Sequence, residues 1–348
     1  MEQDNLKKSL DIAFDSVDGL IDQCYQAWQE SRNVHFDKKY EKIENIVVCG
    51  MGGSSLPAHI ISSVFNIKVP IYICETYTVP LWAGKNTLVI LSSYSGNTEE
   101  TLSCGAQAKE RGCLIAGITS GGKLREFLDE LHVPFYHFNP KFNPSKLPRF
   151  GIGYGIFGQL GLLSNLNLIN DYSGEQLDLQ LANSIKHLTL CFDSIVNSAQ
   201  EFVNKANGDI LVLFSSEHLK GNGHTFTNQI NETSKTLSFC AELPEADHNL
   251  IEGLKKLQTG IIVLFIESQN YPVRILERFD ITREIINEDG YKSYVYKVNK
   301  GSLMQEMLEV LLFSSFSSVK LAGHNNTDPL AIPSIDYIKS KLSLMELK

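Results

Sequence analysis

Residues 87–98, Thr-Leu-Val-Ile-Leu-Ser-Ser-Tyr-Ser-Gly-Asn-Thr, decide the fold of this 348-residue chain. The stretch begins with a continuous apolar run, which is typical of a strand buried on both faces of a parallel sheet. Hydroxyl-bearing residues and a Gly-Asn pair follow it, and Glu99-Glu100-Thr101 then opens a segment of helical pattern. A strand, a tight polar turn and a helix in this order predict one unit of an α/β fold.

The same alternation of short apolar runs and helical segments surrounds this stretch. Four further strands are predicted in this half of the chain, at residues 46–50, 71–75, 113–119 and 134–138. The pattern predicts one parallel sheet flanked by helices. A glycine-rich helical segment (151–163) and a polar stretch (165–176) follow, and we interpret the polar stretch as a domain boundary.

A second series of strands begins after this boundary. The predicted strands are residues 209–215, 236–241, 260–267, 282–286 and 293–298, and helices are predicted at 302–322 and 329–346. Residues 260–270 align with 87–97, so the two halves are expected to share one architecture. The first copy ends in a turn rich in Ser and Gly, whereas the second has Phe265, Ile266 and Glu267 there. We therefore expect only the first half to bind an anion, and a change at Ser268 to have no effect.

The N-terminal part of the chain has a helical period. Apolar residues recur at steps of three and four between residues 6 and 28, which predicts an amphipathic helix packed on a larger body. The predicted divisions are an N-terminal helical segment (1–40), a first domain (41–168) and a second domain that includes the C-terminal helices (177–348).

Composition and charge exclude several classes of protein. With 31 Lys and Arg against 40 Asp and Glu, the net charge is -9, which disfavours general nucleic-acid binding. The longest apolar run, residues 261–266, is too short to span a membrane. The first residues lack the features of a secretory signal, and the seven cysteines are odd in number and contain no Cys-x-x-Cys pair. We expect a cytoplasmic protein with reduced cysteines.

Two polar turns follow neighbouring predicted strands, one at residues 50–55 and one at residues 93–98. Ligands bind at the carboxyl ends of strands in open parallel sheets, where hydroxyls and backbone N–H groups can hold an anion. A dinucleotide fingerprint would need a third glycine at Ser55, so NAD binding is disfavoured. The alternative that these serines only cap helices stays open.

The two turns carry a resemblance to a known family. Gly-Met-Gly-Gly-Ser (50–54) followed by Ser-Tyr-Ser-Gly-Asn-Thr-Glu-Glu-Thr (93–101) resembles the sugar isomerase (SIS) domain. Five later segments resemble the bifunctional phosphoglucose/phosphomannose isomerases, and they are Pro148-Arg149, Asn231-Glu232, Leu243-Pro244-Glu245, His248-Asn249 and Asp328-Pro329 through Lys339. The resemblance covers about residues 45–342. It implies two SIS domains, each with a flavodoxin-like parallel sheet.

The resemblance implies a site and a reaction. The phosphate of a hexose 6-phosphate would be bound by Gly53, Ser54, Ser93, Ser95 and Thr98. Glu232 would be the base, Arg149 the cation beside an enediolate, and His248 with Lys339 the pair that opens the sugar ring. These residue types suit a reaction that interconverts glucose 6-phosphate, and mannose 6-phosphate, with fructose 6-phosphate without a cofactor.

Each candidate also has an ordinary structural explanation. Glu232 could be a solvated helix residue, His248 a surface histidine and Arg149 a local pairing partner. Lys339 could be a solvent-facing charge on a helix whose Ile335, Ile338 and Leu342 form a buried stripe. The rival function is a non-catalytic SIS protein that senses sugar phosphates. Such a protein needs the phosphate turns but no gathered catalytic residues.

The chain departs from the family at two places, and the resemblance makes two further predictions. Ser55 stands where the family usually has glycine, and residues 226–229 replace a stretch containing Arg and Trp. The threonine linked to mannose acceptance has no clear counterpart. No histidine or cysteine pair lies at ligand spacing, so no metal is expected. The family implies a homodimer in which His248 reaches the partner's active site.

Overall fold

The computed structural model describes residues 2–206, 208–255 and 260–345, and the ends of the predicted divisions at 1–40 and 177–348 lie outside this part. The N-terminal segment forms two helices, α1 (Glu2–Asp18) and α2 (Leu20–Ser31), where the sequence predicted one. The break falls at Gly19, where a side-chain Cβ would lie 2.3 Å from the backbone oxygen of Phe142. Only glycine lets the two segments approach so closely.

The first half of the chain forms a five-stranded parallel sheet, as predicted. Its strands are β1 (Asn45–Cys49), β2 (Ile71–Cys74), β3 (Thr87–Ser93), β4 (Leu114–Thr119) and β5 (Phe135–His137). The helices of this half are α3 (Leu56–Val64), α4 (Glu99–Glu110), α5 (Gly122–Glu130) and α6 (Ile152–Asn165). The strand order is β2-β1-β3-β4-β5, which is the flavodoxin-like order. Strand order therefore reverses between β1 and β3, and a crevice opens at their carboxyl ends.

The second half repeats this order with four parallel strands. Its strands are β6 (Ile210–Ser216), β7 (Ser238–Leu243), β8 (Ile261–Glu267) and β9 (Lys292–Lys297), in the order β7-β6-β8-β9. Its helices are α7 (Gly174–Ala206), α8 (Lys220–Ser234), α9 (Leu250–Leu254), α10 (Val273–Glu288), α11 (Leu303–His324) and α12 (Pro333–Leu342). The fold class is therefore α/β, with two related sheets. The division at residues 165–176 stays a proposal, supported by the chain leaving α6 there and entering α7.

One predicted strand was wrong. Residues 282–286 lie inside α10, where Ile275, Phe279, Thr282 and Ile286 are buried. Their spacing of four, three and four residues is the period of a helix face. The β-branched residues of this short segment favour a strand when the segment is considered alone. The helical period appears only when residues 273–281 are included.

The two halves pack through α8, which lies against α3 of the first half and α11 of the second. A Cβ at Gly221, near the start of α8, would lie 2.4 Å from the backbone oxygen of His59 in α3. This close packing brings the C-terminal end of α8 to the crevice of the first sheet. No helix among the described residues is long and apolar enough to cross a membrane.

Helix α12 differs from the other helices, because none of its residues is buried. Ile338 is 56% exposed and Leu342 is 41% exposed. The alternative that Ile335, Ile338 and Leu342 form a buried stripe is therefore wrong for the single chain. A helix of this length is marginal alone in water.

Candidate active site

The two polar turns lie side by side at the crevice of the first sheet. Strands β1 and β3 are hydrogen-bonded neighbours and run parallel, so both turns emerge at the same edge. The backbone N–H of Tyr94 donates a hydrogen bond to Ser54 Oγ at 3.0 Å, and Ser92 Oγ donates one to the Ser54 backbone oxygen at 2.8 Å. Ser54 therefore joins the first turn to the second.

Glycines fix the shape of the first turn. Gly52 has φ +48°, a left-handed conformation that glycine adopts without strain. A Cβ at Gly53 would lie 2.9 Å from the Pro148 Cβ and 3.2 Å from the Arg149 backbone nitrogen, so the turn rests directly on these residues. Ser55 has φ −90°, a conformation open to any residue. Serine at position 55, where the family usually has glycine, therefore causes no backbone strain. The positive φ of this turn lies at Gly52 instead.

The second turn presents hydroxyls and backbone N–H groups at the start of α4. Ser93 Oγ lies 2.8 Å from Thr98 Oγ1 and accepts a hydrogen bond from the Gly96 backbone N–H at 3.1 Å. Ser95 is exposed, and Asn97 N–H donates to its Oγ at 3.3 Å. A helix N-terminus also favours negative charge. The turn can therefore bind a phosphate with neutral groups only.

Arg149 and Glu232 form an ion pair beside the first turn. Arg149 is 2% exposed, and its Nη1 lies 3.1 Å from Glu232 Oε2. Its Nη2 donates to the backbone oxygens of Pro329 and Leu330 at 2.6 and 3.3 Å. A Cβ at Gly52 would lie 4.0 Å from Glu232 Oε1, so the carboxylate borders the phosphate turn. The structure therefore brings Arg149 and Glu232 together at the predicted phosphate site.

Burial affects the charges at this pair. It lowers the pKa of Arg149 from its usual value, and the Glu232 carboxylate opposes that change. The side chain of Glu232 is 26% exposed, so one of the two partners faces the crevice. A buried cation and a partly exposed carboxylate can act on a carbonyl and on an adjacent C–H group.

Two residues that sequence reasoning missed hold the pair in place. Gln229 Nε2 donates to the Arg149 backbone oxygen at 3.1 Å and lies on the same helix as Glu232. Lys235 Nζ donates to the backbone oxygens of Glu232, Asp328 and Ala331 at 2.8, 2.9 and 2.6 Å. Burial, and then the charge of Arg149, lowers the pKa of Lys235. Only their spacing from Glu232 in the sequence could have suggested them.

His248 and Lys339 are not hydrogen-bonded to the pair. Among the described residues, the hydrogen bonds of Arg149 and Glu232 reach neither of them. Asn231, next to Glu232, bonds to Ser238 at the start of β7, whereas His248 follows the end of β7. Six residues of strand span roughly 16 to 20 Å. Glu232 and His248 of one chain therefore lie toward opposite ends of β7.

The second half has a counterpart of the phosphate turn, and a carboxylate of the chain fills it. Glu306 accepts hydrogen bonds from Ser268 Oγ and from Asn270 Nδ2, and His218 Nε2 lies 2.8 Å from its Oε2. Glu306 is 0% exposed. A carboxyl group of the chain itself thus occupies the position that corresponds to the second polar turn of the first half.

Two groups of side chains in the described part of the chain have ligand atoms close enough to hold a metal ion. One consists of Cys49, Cys74 and Cys104, and the other of His187, Cys191 and Glu309. Neither group includes Arg149 or Glu232. That the reaction at Arg149 and Glu232 needs no metal or cofactor stays a prediction.

The chain is similar to known proteins in sequence and in fold. A family model described as the bacterial phospho-glucose isomerase C-terminal SIS domain matches residues 195–342. A bifunctional phosphoglucose/phosphomannose isomerase of Caldicellulosiruptor bescii is 31% identical, over 95% of this chain and 98% of that protein. A further relative, a D-glucosamine-6-phosphate 4-epimerase of Sulfolobus acidocaldarius, is 29% identical over 88% of this chain and 92% of that protein.

A solved structure supports the fold alone. A hypothetical protein of Thermus thermophilus superimposes with a TM-score of 0.72 and 16% identity. The match covers 98% of this chain and 94% of that one. Both halves and the helices between them therefore recur together in another protein.

Proposed function

The chain belongs to the family of the bifunctional phosphoglucose/phosphomannose isomerases, and from this premise we propose that it interconverts glucose 6-phosphate and mannose 6-phosphate with fructose 6-phosphate. The observation that carries the proposal is the ion pair of Arg149 and Glu232 beside two hydroxyl-rich turns. A sensor of sugar phosphates needs the turns but has no use for a buried cation and a carboxylate next to them. The catalytic function is therefore favoured over the non-catalytic one.

The proposed role of the turns is to hold the phosphate. Ser54, Ser93, Ser95, Thr98 and the backbone of Gly53 surround the crevice and carry no charge. Neutral donors and the N-terminus of α4 bind a dianion without adding positive charge to an acidic chain. The phosphate then fixes one end of the open-chain sugar, so that C1 and C2 lie toward Glu232.

In the proposed proton transfer, Glu232 acts as the base. It removes the proton from C2 of the aldose, the electrons move toward the C1 carbonyl, and an enediolate forms. Glu232 then returns the proton to C1, the proton on O2 passes to O1, and the ketose is left. C2 is planar in the enediolate, so the two C2 epimers, glucose and mannose, share this intermediate. Arg149 stabilises the negative oxygens that develop during this step.

The experiment that tests this role replaces Glu232 by Gln. The change keeps the shape and a hydrogen-bond partner for Arg149 but removes the base. We expect kcat to fall about 100-fold or more with each hexose 6-phosphate, while sugar-phosphate binding by calorimetry persists. A Gln variant with nearly normal kcat would overturn the assignment of the base. Epimerisation at C4 by the wild-type protein, without ketose formation, would replace the proposed function itself.

Ring opening is proposed to need a second chain. His248 is exposed and lies at the far end of β7 from Glu232, while α12 leaves Tyr337 63% exposed and Ile338 56% exposed. A homodimer would cover the apolar side chains of α12 and bring His248 of one chain to the crevice of the other. Lys339 lies about 9 Å along α12 from Pro333, the first residue of the helix. It is therefore beyond Pro329 and Leu330, whose backbone oxygens accept hydrogen bonds from Arg149. We assign His248 and Lys339 to protonation of the ring oxygen.

Mixing two inactive variants tests the shared site. Glu232→Gln and His248→Ala chains are unfolded, combined and refolded, so that about half of the dimers are heterodimers. In each heterodimer one site joins the intact Glu232 to the intact His248. About a quarter of the wild-type activity should return. A mixture that stays inactive, with heterodimers confirmed by mass spectrometry, rules out sharing.

We also propose a cytoplasmic location. All seven cysteines are free in the structure, which suits a reducing compartment. Fractionation of cells that produce the protein tests this location directly.

A further inference from the structure

Three cysteines from distant parts of the sequence meet beneath the phosphate turns. Cys49 ends β1, Cys74 ends the neighbouring strand β2, and Cys104 lies in α4. Cys49 and Cys74 are partners in the parallel register. The Sγ atoms of Cys74 and Cys104 are 3.9 Å apart, and all three Sγ atoms lie within 4.8 Å of one another. Sequence spacing gave no sign of this group, because the strands of the sheet create it.

The group lies in an apolar setting near one exposed loop. Its cysteines are 0 to 1% exposed and pack in a cluster that also contains Val47, Val89 and Leu91. The loop at residues 75–78, which follows Cys74, is exposed. The backbone oxygen of Thr76 lies 3.3 Å from the Cys104 Sγ, and that of Thr78 lies 3.3 Å from the Cys74 Sγ. The free thiols can therefore donate weak hydrogen bonds to this loop.

Charge decides which ligand the three thiols can take. Within the described ranges, no hydrogen bond or ion pair joins a lysine or arginine to these sulfurs, and the carboxylate of Glu100 acts on Cys104 from nearby. Three thiolates around a divalent cation would keep one negative charge in this apolar cluster, and burying an unpaired charge is costly. A trivalent centre bound by three thiolates has no net charge. Structural zinc also prefers four ligands, whereas three thiols converge here.

We propose that Cys49, Cys74 and Cys104 form a three-thiol site for trivalent arsenic, presented as arsenous acid. Three S–As bonds form and three As–O bonds break. Each thiol proton leaves with one hydroxyl group, so three water molecules are released and no atom changes its oxidation state. The three sulfurs move slightly closer together, and the exposed loop at residues 75–78 provides the way in.

Native mass spectrometry of the full-length reduced protein tests this site with arsenite as the probe. We expect one adduct whose mass gain equals one arsenic atom less three hydrogen atoms. The variants Cys49→Ala, Cys74→Ala and Cys104→Ala should each lose this adduct. Cys24→Ala is the matched control, because Cys24 is 1% exposed and lies outside the group, and it should keep the adduct.

Several results would overturn the proposal. One is a wild-type protein that binds no arsenic. Another is a wild-type adduct that retains a hydroxyl group and so uses only two thiols. A third is an alanine variant that still gains one arsenic atom less three hydrogen atoms. Zn(II) that displaces arsenic at equal concentration would contradict the charge argument. Arsenic X-ray absorption of the wild-type complex gives a test that needs no variant to fold. It should find three sulfur neighbours and no oxygen.

Discussion

Arg149 Nη1 lies 3.1 Å from Glu232 Oε2, although the two residues are 83 positions apart in the sequence. Arg149 comes from the segment after the first sheet, and Glu232 comes from the last turn of α8 in the second half. The pair therefore exists only when the two halves pack together. The other hydrogen bonds of Arg149, to the backbone oxygens of Pro329 and Leu330, tie the segment before α12 to the same place.

Replacing Arg149 by Lys tests the geometry of this cation. Lysine keeps the charge but cannot donate at once to Glu232 and to the two backbone oxygens. We expect kcat to fall roughly 10- to 100-fold, because a hydrogen bond to a charged group is worth about 1.5 to 3 kcal/mol. Steady-state kinetics with fructose 6-phosphate measure the change. If the Lys variant keeps the wild-type kcat, the positive charge alone is sufficient, and the simultaneous hydrogen bonds of the guanidinium are not needed.

The close contact of Gly53 with Pro148 gives a second prediction. A Cβ at Gly53 would lie 2.9 Å from the Pro148 Cβ, so Gly53→Ala must push the phosphate turn away from Arg149. We expect kcat/KM to fall roughly 10- to 100-fold, as misplaced substrate groups do. Gly84→Ala is the control, because a Cβ there meets nothing within 4 Å. Equal kinetics for the two variants would show that the turn tolerates movement.

The hydroxyls of the second turn are tested by the double change Ser95→Ala and Thr98→Val. We expect weaker binding of hexose 6-phosphates in calorimetry and a nearly unchanged melting temperature, because Ser95 is exposed and Thr98 is half-buried. Unchanged affinity would remove these hydroxyls from the phosphate site.

Ser268 provides the contrast, and here the sequence-based expectation of no effect needs correction. Ser268 is 1% exposed and donates to the buried Glu306. Ser268→Ala should leave phosphosugar affinity unchanged but lower the free energy of unfolding by roughly 1 to 2 kcal/mol. Chemical denaturation measures that loss. A second phosphosugar site per chain in calorimetry would contradict the role given to Glu306.

Acid conditions should destabilise the contact between α3 and α8 through His224. Its ring centroid lies 4.6 Å from that of His59, and burial, followed by the charge of His59, lowers the pKa of His224 from 6.5. Glu75 and Glu242 oppose this change. The unfolded chain then binds the proton more readily than the folded one. Stability is therefore full above about pH 6.5 and falls as the pH drops toward the folded pKa.

Replacing His224 by Asn checks this sign. We expect the wild-type protein to lose more free energy of unfolding than the variant does between about pH 7.5 and about pH 5.5. Urea denaturation at the two pH values gives both differences. Equal losses in the two proteins would assign the acid sensitivity to other groups.

Local sequence patterns were sufficient for most of the sheet. The apolar runs ending in Cys49 and Ser93 became neighbouring parallel strands, since β-branched runs between helical segments have few other solutions. The segment 282–286 failed because five residues cannot separate a strand from one face of a helix. The break at Gly19 depends on the backbone of Phe142, which is distant in the sequence.

The site was predicted less completely than the fold. Glu232 and Arg149 were proposed from the resemblance, and packing of the two halves brought them together. Lys235 and Gln229 escaped notice because their hydrogen bonds to Glu232 and Arg149 go to backbone oxygens, which no side-chain pattern marks. Ile338 and Leu342 were expected to be buried by their spacing, but spacing does not say whether the covering surface belongs to the same chain.

The most direct test of the central claim is proton exchange during the reaction. Fructose 6-phosphate is incubated with the protein in D2O, and the products are analysed by NMR. If Glu232 shuttles a proton through an enediolate, glucose 6-phosphate and mannose 6-phosphate should appear with deuterium at C2 in a fraction of the molecules, and the Glu232→Gln variant should form both products about 100-fold or more slowly. Aldoses that form without any deuterium at C2, or no aldose at all, would contradict the account.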